Sequence, residues 1–176
     1  MKQFSTSFLV LLGLLVALSF VPRAAWAPPS NCPGATVTAT ALSFGSYDSV
    51  AGSAVTSTAT ITVTCGGGNA DPIISVQLNA GLNSAGSFNP RVLKNTAATD
   101  TLNYNLYTAA TYIAANIWGD GTGGTLDPGG TTGGVNGANT LVQTVFGQIP
   151  ASQDPTGVCP STPCTYNDTV TITVNF

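Results

Sequence analysis

The sequence contains no histidine and no glutamate, and charged residues make up only 6% of it. Without histidine, neither the Ser-His-Asp nor the Cys-His arrangement of nucleophilic enzymes can be built. A pair of aspartates could still serve as acid and base, but the seven acidic residues are scattered among turn-forming residues. We therefore expect a protein that is not an enzyme and that needs no cofactor.

Basic residues are equally scarce, with four lysines and arginines in the whole chain and a formal net charge of −3. Nucleic-acid binding requires clustered Lys and Arg side chains, so no nucleic-acid partner is expected. Asp120-Gly121 lies in a glycine-rich stretch that resembles part of a calcium loop, but an EF-hand needs several spaced acids and a final Glu. We predict a turn at this position and no metal site.

The amino-terminal segment has the features of a signal peptide. Lys2 is followed by residues 8–21, an apolar run interrupted by one Gly and one Ser, and Ala25-Trp26-Ala27 supplies the small residues that a signal peptidase reads. The run is shorter than the about 20 residues of a membrane-spanning helix. We therefore expect residues 1–27 to be removed on export to the periplasm and cell surface, with no membrane span retained. Pro28 disfavours cleavage directly before it, which leaves the exact site open.

Four cysteines follow this leader, an even number that favours disulfides in an oxidising compartment. Three pairings are possible, and of these we predict Cys32–Cys65 with Cys159–Cys164. The first bond would stabilise the fold by about 4 kcal/mol and the second by about 2 kcal/mol on the chain-entropy model. A zinc site without histidine would need Cys-x-x-Cys-like pairs, and that spacing is absent from the sequence.

The remainder, residues 28–176, indicates a single all-β domain. Gly, Thr, Ser and Asn are frequent, and these residues disfavour helix interiors, whereas the β-branched ones favour sheets. The glycine-rich residues 119–137 are predicted to form a surface loop. Apolar residues alternate with polar ones in six segments, as in strands of a β-sandwich or barrel, and these are residues 37–47, 58–65, 74–79, 102–107, 140–149 and 169–176.

The last predicted strand ends on its own apolar member, Phe176, so no following hairpin partner can be assigned to it. A long apolar edge is an aggregation hazard that native proteins normally cover. Two arrangements would cover it. Another strand of the same chain, such as the first, could lie alongside, or a strand from another polypeptide could be added to the sheet.

Several short motifs occur in a fixed order along the domain. Together with the spacing of Cys32 and Cys65, they make the chain resemble the spore coat U family, which includes subunits of archaic chaperone–usher pili. The motifs are LSFG at 42–45, ITVTC at 61–65, VQLNAG at 76–81, RVLKN at 91–95, LNYNLY at 102–107, WGDG at 118–121, FGQIP at 146–150 and YNDTVTITVNF at 166–176.

This resemblance implies an incomplete immunoglobulin-like sandwich that lacks its seventh strand. In such proteins a periplasmic chaperone first lends a strand, and a neighbouring subunit's amino-terminal extension replaces it as an outer-membrane usher assembles the fibre. The implied function is a structural subunit of a pilus, or a protein associated with one, that serves adhesion and biofilm formation. The accepting groove would be lined by Val170, Ile172, Val174 and Phe176, and the carboxylate of Phe176 would anchor basic residues of the chaperone.

One departure from the family concerns the donor segment. If residues 1–27 are removed, only residues 28–31 precede Cys32, and four residues with two prolines cannot form a donated strand. The subunit would then accept a strand without donating one, at a fibre tip, or it would be a secreted coat or matrix protein that does not polymerise. A third alternative is a carbohydrate-binding module in which Trp118, Tyr107 and Tyr112 form a surface patch, although such aromatic residues more often pack in a core.

Overall fold

The computed structural model describes residues 3–12, 32, 34–66, 72–73, 75–131, 139–154 and 164–176. These residues form strands and a single short 3-10 helix, Ala114–Asn116, which confirms the all-β prediction. The strands are β1 (Gln3–Leu12), β2 (Thr36–Ala39), β3 (Leu42–Ser43), β4 (Val55–Cys65), β5 (Pro72–Ile73), β6 (Ser75–Leu78), β7 (Arg91–Asn95), β8 (Thr101–Tyr107), β9 (Gly130–Thr131), β10 (Asn139–Ile149) and β11 (Tyr166–Asn175).

Two sheets share strand β8 and form a β-sandwich. One sheet has the order β2-β4-β10-β8, and the other has the order β8-β7-β11-β1-β3, with β6 also paired to β11. The first half of β8 pairs with β7, as in Leu102↔Leu93, and its second half pairs with β10, as in Tyr107↔Phe146. Strand β8 therefore crosses from one sheet to the other. Strands β5 and β9 form a separate two-stranded sheet.

Alternation in the sequence decides which face of each long strand is buried. In β4 the apolar residues from Ala59 to Cys65 are buried and the threonines between them are partly exposed. Strand β11 alternates in the same way from Tyr166 to Val174, with Asp168 as a polar residue on its buried face. One buried and one wetted face is the expected arrangement for antiparallel strands in a sandwich. The inner faces of both sheets meet in one apolar core.

The first predicted strand, residues 37–47, was wrong as a single element. Strand β2 pairs with β4 in one sheet, whereas β3 pairs with β1 in the other. The chain crosses between the sheets at Thr40, whose N–H donates to Thr60 O (3.0 Å) and whose Oγ1 accepts from Thr60 N (2.8 Å). A segment that passes from one sheet to the other must bend. For this reason residues 37–47 form two short strands, β2 and β3, although their apolar alternation suggested one.

The glycine-rich residues 119–137 also differ in part from the predicted surface loop. Gly119 is buried, Trp118 and Leu126 form a parallel bridge, and β9 pairs with β5. Residues 132–138 lie outside the described residues. Across the part of the chain that is described, no helix has the length and apolar character needed to cross a bilayer.

The disulfide Cys32–Cys65 is present, with a Cα–Cα distance of 4.9 Å, as predicted. It ties the segment before β2 to the end of β4. Cys164 is also disulfide-bonded. Its predicted partner, Cys159, lies outside the described residues.

Candidate functional site

Strand β11 carries the predicted groove residues Val170, Ile172 and Val174, and its two edges have different neighbours. On one edge it pairs with β6 and β7. On the other edge it pairs with β1, antiparallel over ten residue pairs, from Gln3↔Asn175 to Leu12↔Tyr166. The whole of that second edge is therefore covered by the amino-terminal segment of the chain.

The far edge of β1 pairs in parallel with β3, through Val10↔Leu42 and Leu11↔Ser43. Strands β3 and β11 are thus one strand apart, and we call the space between them the lane. The lane is occupied by β1, which lies entirely within the residues predicted to be a removable leader. A strand of the same chain does lie beside β11, but it belongs to the predicted leader. Strands β2 and β3 are not adjacent to β11.

The backbone of β11 offers alternate residues to each edge. Thr171 O accepts from Asn79 N (3.0 Å), and Thr171 N donates to Asn79 Oδ1 (2.8 Å), so the main-chain groups of Thr171 point toward the β6 edge. Successive residues of a strand turn these groups to opposite edges. Those of Val170, Ile172 and Val174 consequently point into the lane, where β1 pairs with them. Without β1 they would form an unpaired row.

The four residues predicted from the sequence to line a groove lie together in the core. Val170, Ile172 and Val174 are completely buried, and Phe176 is 6% exposed. They share the core with Leu42 of β3 and with Phe44 just after it. Burying such a side chain contributes about 1.5–3 kcal/mol, so the inner face of the lane carries a large part of the stability of the domain.

Asp168 is a polar member of the same face, and sequence reasoning did not single it out. It is 1% exposed, and its carboxylate accepts hydrogen bonds from Tyr104 Oη (2.8 Å), Leu82 N (2.9 Å) and Asn83 Nδ2 (3.0 Å). Burial raises the pKa of Asp168, while the hydrogen bond from Tyr104 acts in the opposite direction. The hydrogen bonds from Leu82 and Asn83 hold the loop after β6 against β11, next to the lane.

Gly81 allows this close approach. Its φ is +87°, and a Cβ atom at this position would overlap the Asp168 carboxylate. Glycine is therefore required at position 81 for two reasons. The backbone has a positive φ, and the Asp168 carboxylate leaves no room for a side chain.

Arg91 is the second buried ionisable group that the sequence did not reveal. Its guanidinium donates to Asn79 O (3.1 and 2.9 Å), Trp118 O (2.6 Å) and Asn105 Oδ1 (2.7 Å). Burial lowers the pKa of Arg91 to about 10, so the side chain stays cationic near neutral pH. The RVLKN motif begins with this arginine, and the structure places Arg91 at an inward position of β7. Its hydrogen bonds join β7 to the loops after β6 and around Trp118, a structural role.

The aromatic residues considered for carbohydrate binding do not form a surface patch. Trp118 is 1% exposed, and its indole N–H donates to Val76 O (2.7 Å), so it belongs to the core. Tyr107 is buried and packs edge-on against Tyr112 with ring centroids 5.4 Å apart. Trp118 and Tyr107 thus pack in the interior of the sandwich, as large aromatic side chains commonly do.

Asp120 forms the predicted turn. Its Oδ1 accepts from Thr122 N (2.9 Å) and Thr122 Oγ1 (2.6 Å), which is the local pattern of an Asx turn. Within the described ranges, no three side chains of His, Cys, Asp or Glu come together in a way that could hold a metal ion.

The domain was compared with known protein families. The family described as Spore Coat Protein U domain matches residues 22–173, which include every strand from β2 to β10 and most of β11. Strand β1 lies before the matched region. No curated protein shows a significant match to the chain, and no solved structure does either.

Proposed function

Because the chain belongs to the spore coat protein U family, a family of secreted coat- or pilus-like structural proteins, we propose that it is a subunit of an archaic chaperone–usher pilus, or is associated with one. In this proposal residues 1–27 direct export and are removed. The sandwich of residues 28–176 is then completed by a strand from another polypeptide. Its partners would be a periplasmic chaperone, an outer-membrane usher and neighbouring subunits, and the assembly would serve adhesion and biofilm formation.

The occupant of the lane is the observation that carries this proposal. Strand β1 lies in the predicted leader and outside the family domain, which begins at residue 22. Once the leader is removed, the lane-facing backbone of β11 and the edge of β3 both lose their partner. A strand added from outside would restore the backbone hydrogen bonds, which is the general basis of β-addition.

The energetic cost of an empty lane supports dependence on a partner. Val170, Ile172 and Val174 are fully buried in the presence of β1. Each buried side chain of this kind contributes about 1.5–3 kcal/mol. The free energy of unfolding of a typical domain is only about 5–15 kcal/mol, so exposing part of this face would remove much of it. Phe176 would be placed at the end of the same face.

The short segment before Cys32 favours an accepting role. With cleavage after residue 27, residues 28–31 are too few and too proline-rich to serve as a donated strand. The subunit would then occupy the end of a fibre. A secreted coat protein that does not polymerise is the second candidate, and the same short segment favours it.

Periplasmic expression with and without a pilus chaperone from the same genome tests the proposal. We expect the protein to be recovered as an equimolar complex with the chaperone and to be degraded or aggregated alone. Mass spectrometry of the complex would give the first residue and the disulfide pairs.

Matched variants on β11 sharpen this test. Ile172→Lys places a charge on the buried face and should abolish recovery of the complex, whereas Thr171→Lys changes the partly exposed face and should retain it. Recovery of the wild-type protein alone, without residues 1–27 and with a cooperative melt, would contradict the proposal and favour the non-polymerising coat protein.

A further inference from the structure

We infer that the leader has a second role: in the uncleaved precursor, Gln3–Leu12 is an intramolecular ligand of the lane. This inference rests on the proposed function, because it treats the lane as a site for a strand that is not part of the mature domain. Leader binding and strand donation would then exclude one another. Removal of the leader would be the step that opens the lane to a partner.

The extent of the pairing is the first argument. Strand β1 covers β11 from Tyr166 to Asn175 without a gap, and its other edge reaches β3. It therefore bridges the two strands that border the lane and joins them into one continuous sheet. A strand that touched only one border would leave the other unpaired.

The composition of the segment is the second argument. Residues 3–12 contain no charged residue, so none must be desolvated to enter the sheet. In the observed register Phe4 and Phe8 are paired with the buried Val174 and Val170, and Thr6 is paired with the buried Ile172. The polar Ser5 and Ser7 stand opposite Thr173 and Thr171, which are partly exposed.

The lane is thereby assigned a ligand class, an uncharged peptide of about ten residues that runs antiparallel to β11. The leader meets this description while it is covalently attached. Attachment raises its effective concentration at the lane far above that of a peptide in solution. The precursor would consequently be a self-complemented monomer.

Amide hydrogen exchange on the full chain, produced without export and refolded with its disulfides formed, tests this inference. The matched variants are Phe8→Lys, opposite buried Val170, and Leu9→Lys, opposite partly exposed Thr169. The lane-facing N–H groups of Val170, Ile172 and Val174 should exchange slowly in the wild type and in Leu9→Lys. In Phe8→Lys they should exchange faster by about a hundredfold or more, alone or together with the rest of the domain.

A synthetic peptide of residues 3–12, added to Phe8→Lys, should restore slow exchange at the same three amides. Failure of the peptide to do so would overturn the assignment of the segment as a ligand. Fast exchange of these amides in the wild type would overturn the inference and leave the proposed function standing, because the lane would be open in the precursor. Slow exchange in Phe8→Lys without peptide would overturn both, because the lane would be closed by some other means.

Discussion

Single residues beside the lane hold the loop after β6 against β11. The Asp168 carboxylate receives two donors from that loop and one from Tyr104. Gly81 lies directly against it, so the loop can approach only if this position has no side chain. The arrangement makes a glycine of the VQLNAG motif part of the packing around the candidate site.

Replacement of Gly81 by Ala should therefore destabilise the protein more than replacement of Gly86. Both glycines have a positive φ, +87° and +90°, and Ala would carry a similar backbone strain of about 1–2 kcal/mol at each. At Gly86 the space is open, whereas at Gly81 the new Cβ would displace Asp168 and leave buried donors unpaired, which costs about 1–3 kcal/mol more. Urea unfolding of the two variants measures this difference, and equal losses would contradict the contact.

A second cluster of residues makes stability depend on pH. Asp100 accepts hydrogen bonds from Tyr166 Oη and from Asn95 Nδ2 (3.1 and 3.0 Å), and these hydrogen bonds lower the pKa of Asp100 below its ordinary value of 3.8. The folded state therefore holds the proton less tightly than the unfolded chain. The contribution of Asp100 to stability is present above the unfolded pKa and is lost as the pH falls through the folded pKa.

Tyr166→Phe should reduce this dependence, because it removes the leading cause of the lowered pKa. We expect the urea midpoint of the wild type to fall more steeply than that of Tyr166→Phe between about pH 5 and pH 2. Thr165→Ala, at the neighbouring partly exposed position, is the control and should keep the wild-type slope. Parallel profiles for the wild type and Tyr166→Phe would show that the hydrogen bond does not set the pKa.

At the scale of elements, alternation predicted long strands better than short ones. Strands β4 and β11 have apolar residues at most of their inward positions and were anticipated in large part from the sequence. Strand β7 was not, because two of its three inward residues are Arg91 and Asn95. Both are polar side chains that are buried with hydrogen-bond partners, so a pattern based on hydrophobicity misses them.

The disulfide Cys32–Cys65, which links β4 to the segment before β2, allows a prediction at the scale of elements. Cys32 and Cys65 are separated by 33 positions, and closing a loop of this length stabilises a protein by about 4 kcal/mol on the chain-entropy model. Cys32→Ser, Cys65→Ser and the double variant should each lose this amount in urea unfolding, because any of them removes the same bond. A double variant that loses twice as much as either single variant would indicate that the two cysteines contribute separately.

For the whole molecule, the register of β1 allows this strand to be moved to the other end of the chain. Gln3 pairs with Asn175, so β1 begins where β11 ends. A short Asn-Gly turn between Phe176 and Gln3 would join them as a β-hairpin. We expect residues 28–176 followed by this turn and residues 3–12 to be a monomer with a cooperative unfolding transition.

The same rearranged chain with Phe8→Lys should self-associate, since a charge opposite Val170 would keep the strand out of the lane. Light scattering and urea unfolding compare the two proteins. Self-association of both would show that an attached strand does not complete the fold. A monomer in both cases would show that the added strand is not needed.

The residue sequence by itself determined the all-β class and which face of β4 and β11 is buried. These properties are local or depend on residue type, and a period of two is written directly in the order of the side chains. Only the tertiary structure decided that β3 and β11 are one strand apart and that Gln3–Leu12 lies between them. Lateral neighbours are chosen through backbone hydrogen bonds, and because every residue carries the same backbone groups, the sequence of a strand specifies its buried face but not the strand at its edge.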